Sequence, residues 1–175
     1  MVSTPQSFGA CPAKPIRIVI ALLALVGLSA CYTSTAPLIG DDAVTPFEEI
    51  TFTARGDNND PAHFVRQDNG YVTQAEDVTV TLHLKPVAGD YYVAQLAGPG
   101  NDGGTQYLYG YVRIDTTASI AETWKTIGTA ADVREGLTEC DDVICIDSLD
   151  AYIAYAQEAV AAGEAPASTF DIVVK

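Results

Sequence analysis

Basic residues are scarce in this chain: nine lysines and arginines stand against 23 aspartates and glutamates among 175 residues. A formal net charge of −14 repels phosphate, which argues against nucleic acid as a partner. Histidine is scarcer still, with only His63 and His83 present, far from each other in sequence. A zinc centre wants four Cys or His ligands at suitable spacing, so no metal is expected, nor any other cofactor. No G-x-S-x-G nucleophile elbow and no H-E-x-x-H pair occurs, and no catalytic residue can be nominated. The most apolar run, Ile18 to Leu28, has about half of the roughly 20 residues that a bilayer-spanning helix needs. A permanent transmembrane anchor is not expected.

That short run has a context of its own. Lys14 and Arg17 precede it, and Ser29, Ala30 and Cys31 follow, the pattern of a secretory signal. Leu28-Ser29-Ala30-Cys31 resembles the lipobox of bacterial lipoproteins. The resemblance covers the signal alone. It implies that residues 1–30 are removed and that Cys31, carrying a diacylglyceryl group on its thiol, becomes the mature N-terminus. The membrane is then a partner through the lipid on Cys31. Tyr32 follows, not the aspartate that holds many Gram-negative lipoproteins at the inner membrane. In a Gram-negative host this implies attachment to the outer membrane, facing the periplasm.

Cleavage would remove Lys14 and Arg17, leaving seven basic residues against 23 acidic ones and a side-chain charge of −16. Such a surface avoids anionic headgroups, so the acyl chains would be the membrane contact. Of the four cysteines, Cys11 leaves with the signal and Cys31 takes the lipid. Cys140 and Cys145 remain, in a compartment where disulfides persist, and are expected to pair.

Residues 31–46 are small, polar and punctuated by proline, and read as a lipidated tether. Residues 47–175 suit a single β-rich domain. Alternation places Ile50, Phe52 and Ala54 on one face of one strand, and Val78, Val80, Leu82 and Leu84 on one face of another. Asp68-Asn69-Gly70 and Ala88-Gly89-Asp90 read as hairpin turns. Ala121 to Ile127 reads as a strand, although Ile120, Trp124 and Ile127 also fit a helical face. Asp147 is placed to cap a helix from Ser148 to about Ala162, with an apolar stripe at Leu149, Tyr152, Ile153, Ala156 and Val160. Thr169 to Val174 reads as a last strand. The expected fold is α+β: an antiparallel meander or partly open barrel with one helix in the C-terminal region.

Candidate sites are few. Gly98-Pro99-Gly100-Asn101-Asp102-Gly103 spells G-x-G-x-x-G, but it leads towards an alternating segment and reads as an inter-strand loop. Asp57, Asn58, Asn59 and Asp60 imitate a calcium loop, yet Ala62 and Asp68 stand where glycine and glutamate are required. Tyr107, Tyr109 and Tyr111 alternate on one face of one strand. Either they are core beneath the helix or Trp124, or the helix covers the opposite, aliphatic face and they form an exposed row. An exposed row would suit stacking on a glycan or another envelope protein. The expected role is a binding or structural accessory module, with a periplasmic hydrolase using carboxylates as the alternative.

Overall fold

The computed structural model describes residues 31–55, 61–75, 78–100, 103–140 and 143–175. The signal residues and the Asp57–Asp60 loop lie outside that set. Eleven strands occur in chain order: β1 (Tyr32–Ser34), β2 (Glu49–Ala54), β3 (Ala62–Gln67), β4 (Gly70–Ala75), β5 (Val78–Ala88), β6 (Tyr91–Pro99), β7 (Thr105–Asp115), β8 (Ile120–Trp124), β9 (Leu137–Cys140), β10 (Val143–Ile146) and β11 (Ser168–Val174). One α-helix, α1 (Leu149–Ala161), lies between β10 and β11.

The strands β2 to β8 pair each with the next in antiparallel fashion, and β11 returns between β8 and β2. The result is a closed eight-stranded up-and-down barrel. The expected meander is there, and it closes fully. Alternation supplies the reason: Ile50, Phe64, Leu82, Leu84, Val112, Ile114, Phe170 and Ile172 all point inward and form one apolar core. The strand reading of Ala121 to Ile127 holds for β8, in which Ala121 faces inward and Trp124 faces out.

The β3–β4 turn sits one residue earlier than the sequence suggests. Gln67 pairs with Gly70, so Asp68 and Asn69 form the loop, with Asp68 at φ +52°. Gly70 has a different duty. A Cβ there would lie 2.9 Å from the His83 ring, so the imidazole packs where a side chain would otherwise stand.

A second core lies outside the barrel wall. One edge of β7 is shared: Tyr111 to Asp115 pair with β8, while Tyr107 and Leu108 pair with β1. Beyond β1 the sheet continues through parallel β10 and then the β9–β10 hairpin. That flap and α1 cover the outer face of the wall. Ser148 caps the helix, its hydroxyl accepting from the Ala151 amide at 3.3 Å. Asp147, expected in that role, instead accepts from the Thr138 hydroxyl at 3.0 Å. The buried residues of the helix are Tyr152, Tyr155, Ala156 and Ala159, while Ile153 is half-buried. Tyr152 donates to the Lys125 carbonyl at 2.8 Å, and its ring lies 5.2 Å from that of Tyr32.

One open alternative is decided here and one expectation is overturned. The exposed tyrosine row is core: Tyr109 is 3% exposed, Tyr111 is 2% exposed, and Tyr107 is half-buried against the same cluster. Closure of the barrel is the physical cause. The aliphatic face of the meander encloses itself, so the helix is left to cover the outer, tyrosine-bearing face. Nor are residues 31–46 a free tether. Tyr32 is fully buried, Thr33 pairs with both Leu108 and Cys145, and the Val44 amide donates to the Leu84 carbonyl at 2.8 Å.

Gln95 fastens this strap. Its side chain is 1% exposed, on the outer face of β6. Its Oε1 accepts from the Leu38 amide at 2.8 Å, the Ile39 amide at 2.9 Å and the Tyr109 hydroxyl at 2.9 Å. A single carboxamide thus satisfies backbone donors that no strand partner reaches. Gln95→Leu should cost about 2–3 kcal/mol, because buried donors are left unpaired. Urea unfolding measures that loss, and hydrogen exchange at Leu38 and Ile39 should accelerate while the barrel amides stay protected. Unchanged exchange at those two amides would show that the strap is held by something else.

Candidate functional site

Register, more than residue type, creates the cavity inside the barrel. Ala94 on β6 pairs with Gly110 on β7, and Leu84 on β5 is the next inward residue beside Ala94. Two small residues thus stand side by side in a wall built otherwise of Leu82, Leu84, Leu96, Leu108 and Val112. A cavity of about 100 Å³ remains, lined also by Phe52 and Phe170. An apolar cavity of about 150 Å³ suffices to bind benzene, so this one accommodates a few carbon atoms.

Thr123, Thr126, Ser168, Cys31 and Tyr109 complete the lining, but the surface they present is almost wholly apolar. This is the point where β7 changes partner from β8 to β1. β8 ends at Trp124, Lys125 takes φ +49°, and Thr126 folds back over Gly110. A Cβ on Gly110 would meet the Thr126 methyl at 3.1 Å, so the glycine gives that threonine its room. Ile127 then bridges to Cys31 in antiparallel fashion. The Thr123 Oγ1 is buried and has no hydrogen-bond partner in the structure. No residue lining the cavity carries a charge.

The other candidates fall elsewhere. Cys140 and Cys145 come to disulfide distance across the β9–β10 hairpin, with Cα atoms 5.9 Å apart. The hairpin leads into α1. The glycine stretch joins β6 to β7, with the Gly100 amide donating to the Gly104 carbonyl at 2.8 Å, and no helix follows it. Asn101 and Asp102 lie outside the described residues. His63 stands on the outer surface, its Nδ1 2.9 Å from the Thr51 hydroxyl. Asp115 and Glu122 come together around Arg113, at 2.9 and 3.4 Å, which offsets one of their two charges. Among the described residues no group of His, Cys, Asp and Glu is arranged to hold a metal ion, and no helix is long and apolar enough to cross a membrane.

Electrostatics at the second core follow from burial. Burial pushes the Tyr32, Tyr109, Tyr111 and Tyr152 phenols up, so all four stay protonated at neutral pH. His83 is pushed down by the same cause, and its Nδ1 is buried with no hydrogen-bond partner. Compared with protein families, with curated proteins and with solved structures, the chain shows no match.

The cavity was not foreseen from the sequence. Its signal, a small residue on each of two neighbouring strands, becomes visible only once their register is known.

Two outcomes follow from these groups. Native protein should contain no reactive thiols at Cys140 and Cys145, and reduction should cost on the order of 2 kcal/mol, as expected for a short closed loop. Thiol labelling of folded, unreduced protein tests this, and two labelled cysteines at those positions would refute the bond. For His83 the sign runs towards acid. A folded-state value below that of the unfolded chain means the unfolded state takes the proton first as pH falls below about 6.5. Stability should therefore be complete above that pH and decline below it, until the folded imidazole itself titrates. His83→Gln should flatten the unfolding midpoint between pH 7 and 5 relative to wild type.

Proposed function

We propose that this chain is a lipid-anchored protein of the bacterial envelope whose barrel serves as a binding module. The observation that carries the binding role is the uncharged cavity enclosed by the barrel wall. Ligand sites are typically concave and mostly apolar, and the lining of this cavity fits that description. The anchor rests on the resemblance of Leu28-Ser29-Ala30-Cys31 to a lipobox. With Tyr32 following Cys31, the location proposed is the outer membrane of a Gram-negative cell, facing the periplasm.

Binding is favoured over hydrolysis because a carboxylate-based hydrolase needs two carboxylates facing each other across its substrate, and none lines this cavity. A glycan stacked on the tyrosine row is no longer part of the reading, since Tyr109 and Tyr111 are buried. An envelope protein remains a partner for the outer surface.

Cys31→Ser tests the anchor. The wild-type protein should partition with membranes and carry lipid mass on Cys31, because each buried methylene contributes roughly 0.8 kcal/mol and several long chains hold firmly. The variant should accumulate as an unprocessed or soluble product without lipid. Intact-mass analysis decides the matter, and an unmodified mature wild-type chain would end the anchor reading.

A further inference from the structure

We propose that the barrel lies on its side against the bilayer, with two loops beside Cys31, residues 126–134 and 161–167, pressed into the headgroup layer. This goes beyond the proposed function by assigning a membrane-facing surface, and it rests on the anchor reading alone.

The missing tether sets the distance. Tyr32 is fully buried and Thr33 pairs with both Leu108 and Cys145, so the chain is fixed to the sheet from the first residue after Cys31. Cys31 itself bridges to Ile127, and its carbonyl accepts from the Ile144 amide at 3.2 Å. A lipid on its thiol therefore has no spacer, and its entry into a bilayer draws the surrounding protein surface down with it. A free tether would instead have let any face of the domain turn to the membrane. The register of β1 on β7 puts Cys31 level with Gly110, midway along β7. The surface drawn down is thus a flank of the barrel and not an end.

That flank suits a lipid interface. Ile127, beside Cys31, is 41% exposed and Val133 is 45% exposed, and between them Thr129, Ala130 and Ala131 are exposed and uncharged. The second loop exposes a series of alanines and is fastened to the first region by the Ala167 amide, which donates to the Thr123 carbonyl at 2.7 Å. The acids of these two loops are occupied. Asp132 accepts from the Thr129 amide at 2.6 Å and from the Tyr155 hydroxyl, and Glu164 accepts from Lys125 at 3.0 Å. On an acidic chain, this is an apolar surface whose carboxylates are already paired, and burying such a surface at the headgroup boundary is favourable. Val65 is also exposed, but β3 lies four strands from β7 in either direction round the barrel and faces away.

The chain's one tryptophan is the reporter. Trp124 stands directly behind this flank, its indole N–H donating to the Glu164 carbonyl at 2.9 Å. Lipidated wild type, its lipid confirmed by intact mass, is reconstituted in dioleoylphosphatidylcholine vesicles containing the brominated analogue of that lipid. Trp124 fluorescence should fall, because bromine quenches only at close range, and it should be retained in unbrominated vesicles. Hydrogen exchange should slow in residues 126–134 and 161–167 relative to the soluble mature chain carrying Cys31→Ser, and stay unchanged in the β3–β4 turn across the barrel. Ile127→Ser combined with Val133→Ser should speed exchange of the membrane-bound loops about tenfold, since burying two half-exposed aliphatic side chains contributes about that factor. Both positions are exposed, so the unfolding midpoint should not move.

Lipid on Cys31 together with full emission and unslowed loops would show the barrel standing off the bilayer and overturn the proposal. Slowing confined to the β3–β4 turn would overturn it by putting the opposite flank down. A native chain without lipid on Cys31 would remove the anchor reading and the proposal with it, and intact mass distinguishes that failure from the other two.

Discussion

Everything in this structure depends on the pairing of β11 with β2. Phe170 to Val174 lie against Ala54 to Ile50, joining the last strand of the chain to the first strand of the barrel. Without that seam the meander would be an open sheet with an apolar face to cover, and the single helix would be needed there. With it, the aliphatic face becomes an interior and no strand of the barrel keeps a free edge. The helix is then available for the opposite side of the wall.

That side is consequently unusual for a barrel exterior. Tyr91, Tyr109, Tyr111 and Trp124 project outward from β6, β7 and β8, and they are covered by Tyr32, Tyr152 and Tyr155 from the flap and the helix. Tyr91 and Tyr111 stack with centroids 5.4 Å apart. Aromatics with polar tips suit such a layer where the hydroxyl finds a partner, as Tyr109 does on Gln95, Tyr152 on the Lys125 carbonyl and Tyr155 on Asp132, whereas the buried Tyr32 hydroxyl has none. Gln95 and Tyr109 show the principle at work: their polar atoms hold the strap, and their positions in the sheet hold the wall. The two cores share β6, β7 and β8, so any displacement of that wall is felt on both sides.

The fork on β7 ties the cavity to the chain's N-terminal strap. Because β8 stops at Trp124 and β1 takes over, the wall beside Gly110 is made of Thr126 and Cys31. Protein interiors are normally packed to crystal density, and a cavity of this size costs about 2 kcal/mol by the cavity relation. A larger side chain in place of Ala94 would recover much of that. Gly110 is small because a Cβ there would crowd the Thr126 methyl at 3.1 Å, which leaves Ala94 as the position that keeps the space open.

Much of the local structure was legible in the residues. Period-two alternation marked β2, β5, β7 and β11, turn residues marked two hairpins, and the apolar periodicity after Asp147 marked α1. These signals are local because a strand or helix declares its buried face within a few residues. Cys140 and Cys145, expected to pair because Cys11 and Cys31 were otherwise assigned, do come to disulfide distance with four residues between them. The strap was misread as a tether because Thr33, Leu38 and Ile39 are held by partners far away in sequence: Leu108, Cys145 and Gln95. The tyrosine row could be read either way, since alternation identifies two faces and is silent on which one closes. By itself, then, the sequence determined which residues share a face in the longer strands and in α1, while β1 went unread, the β3–β4 turn was set one residue late and the helix cap was placed on Asp147. Only the tertiary structure decided which face became the inside, because closure depends on the register of β11 against β2, more than a hundred residues apart. The register of β6 against β7 likewise set Ala94 opposite Gly110 and so opened the cavity.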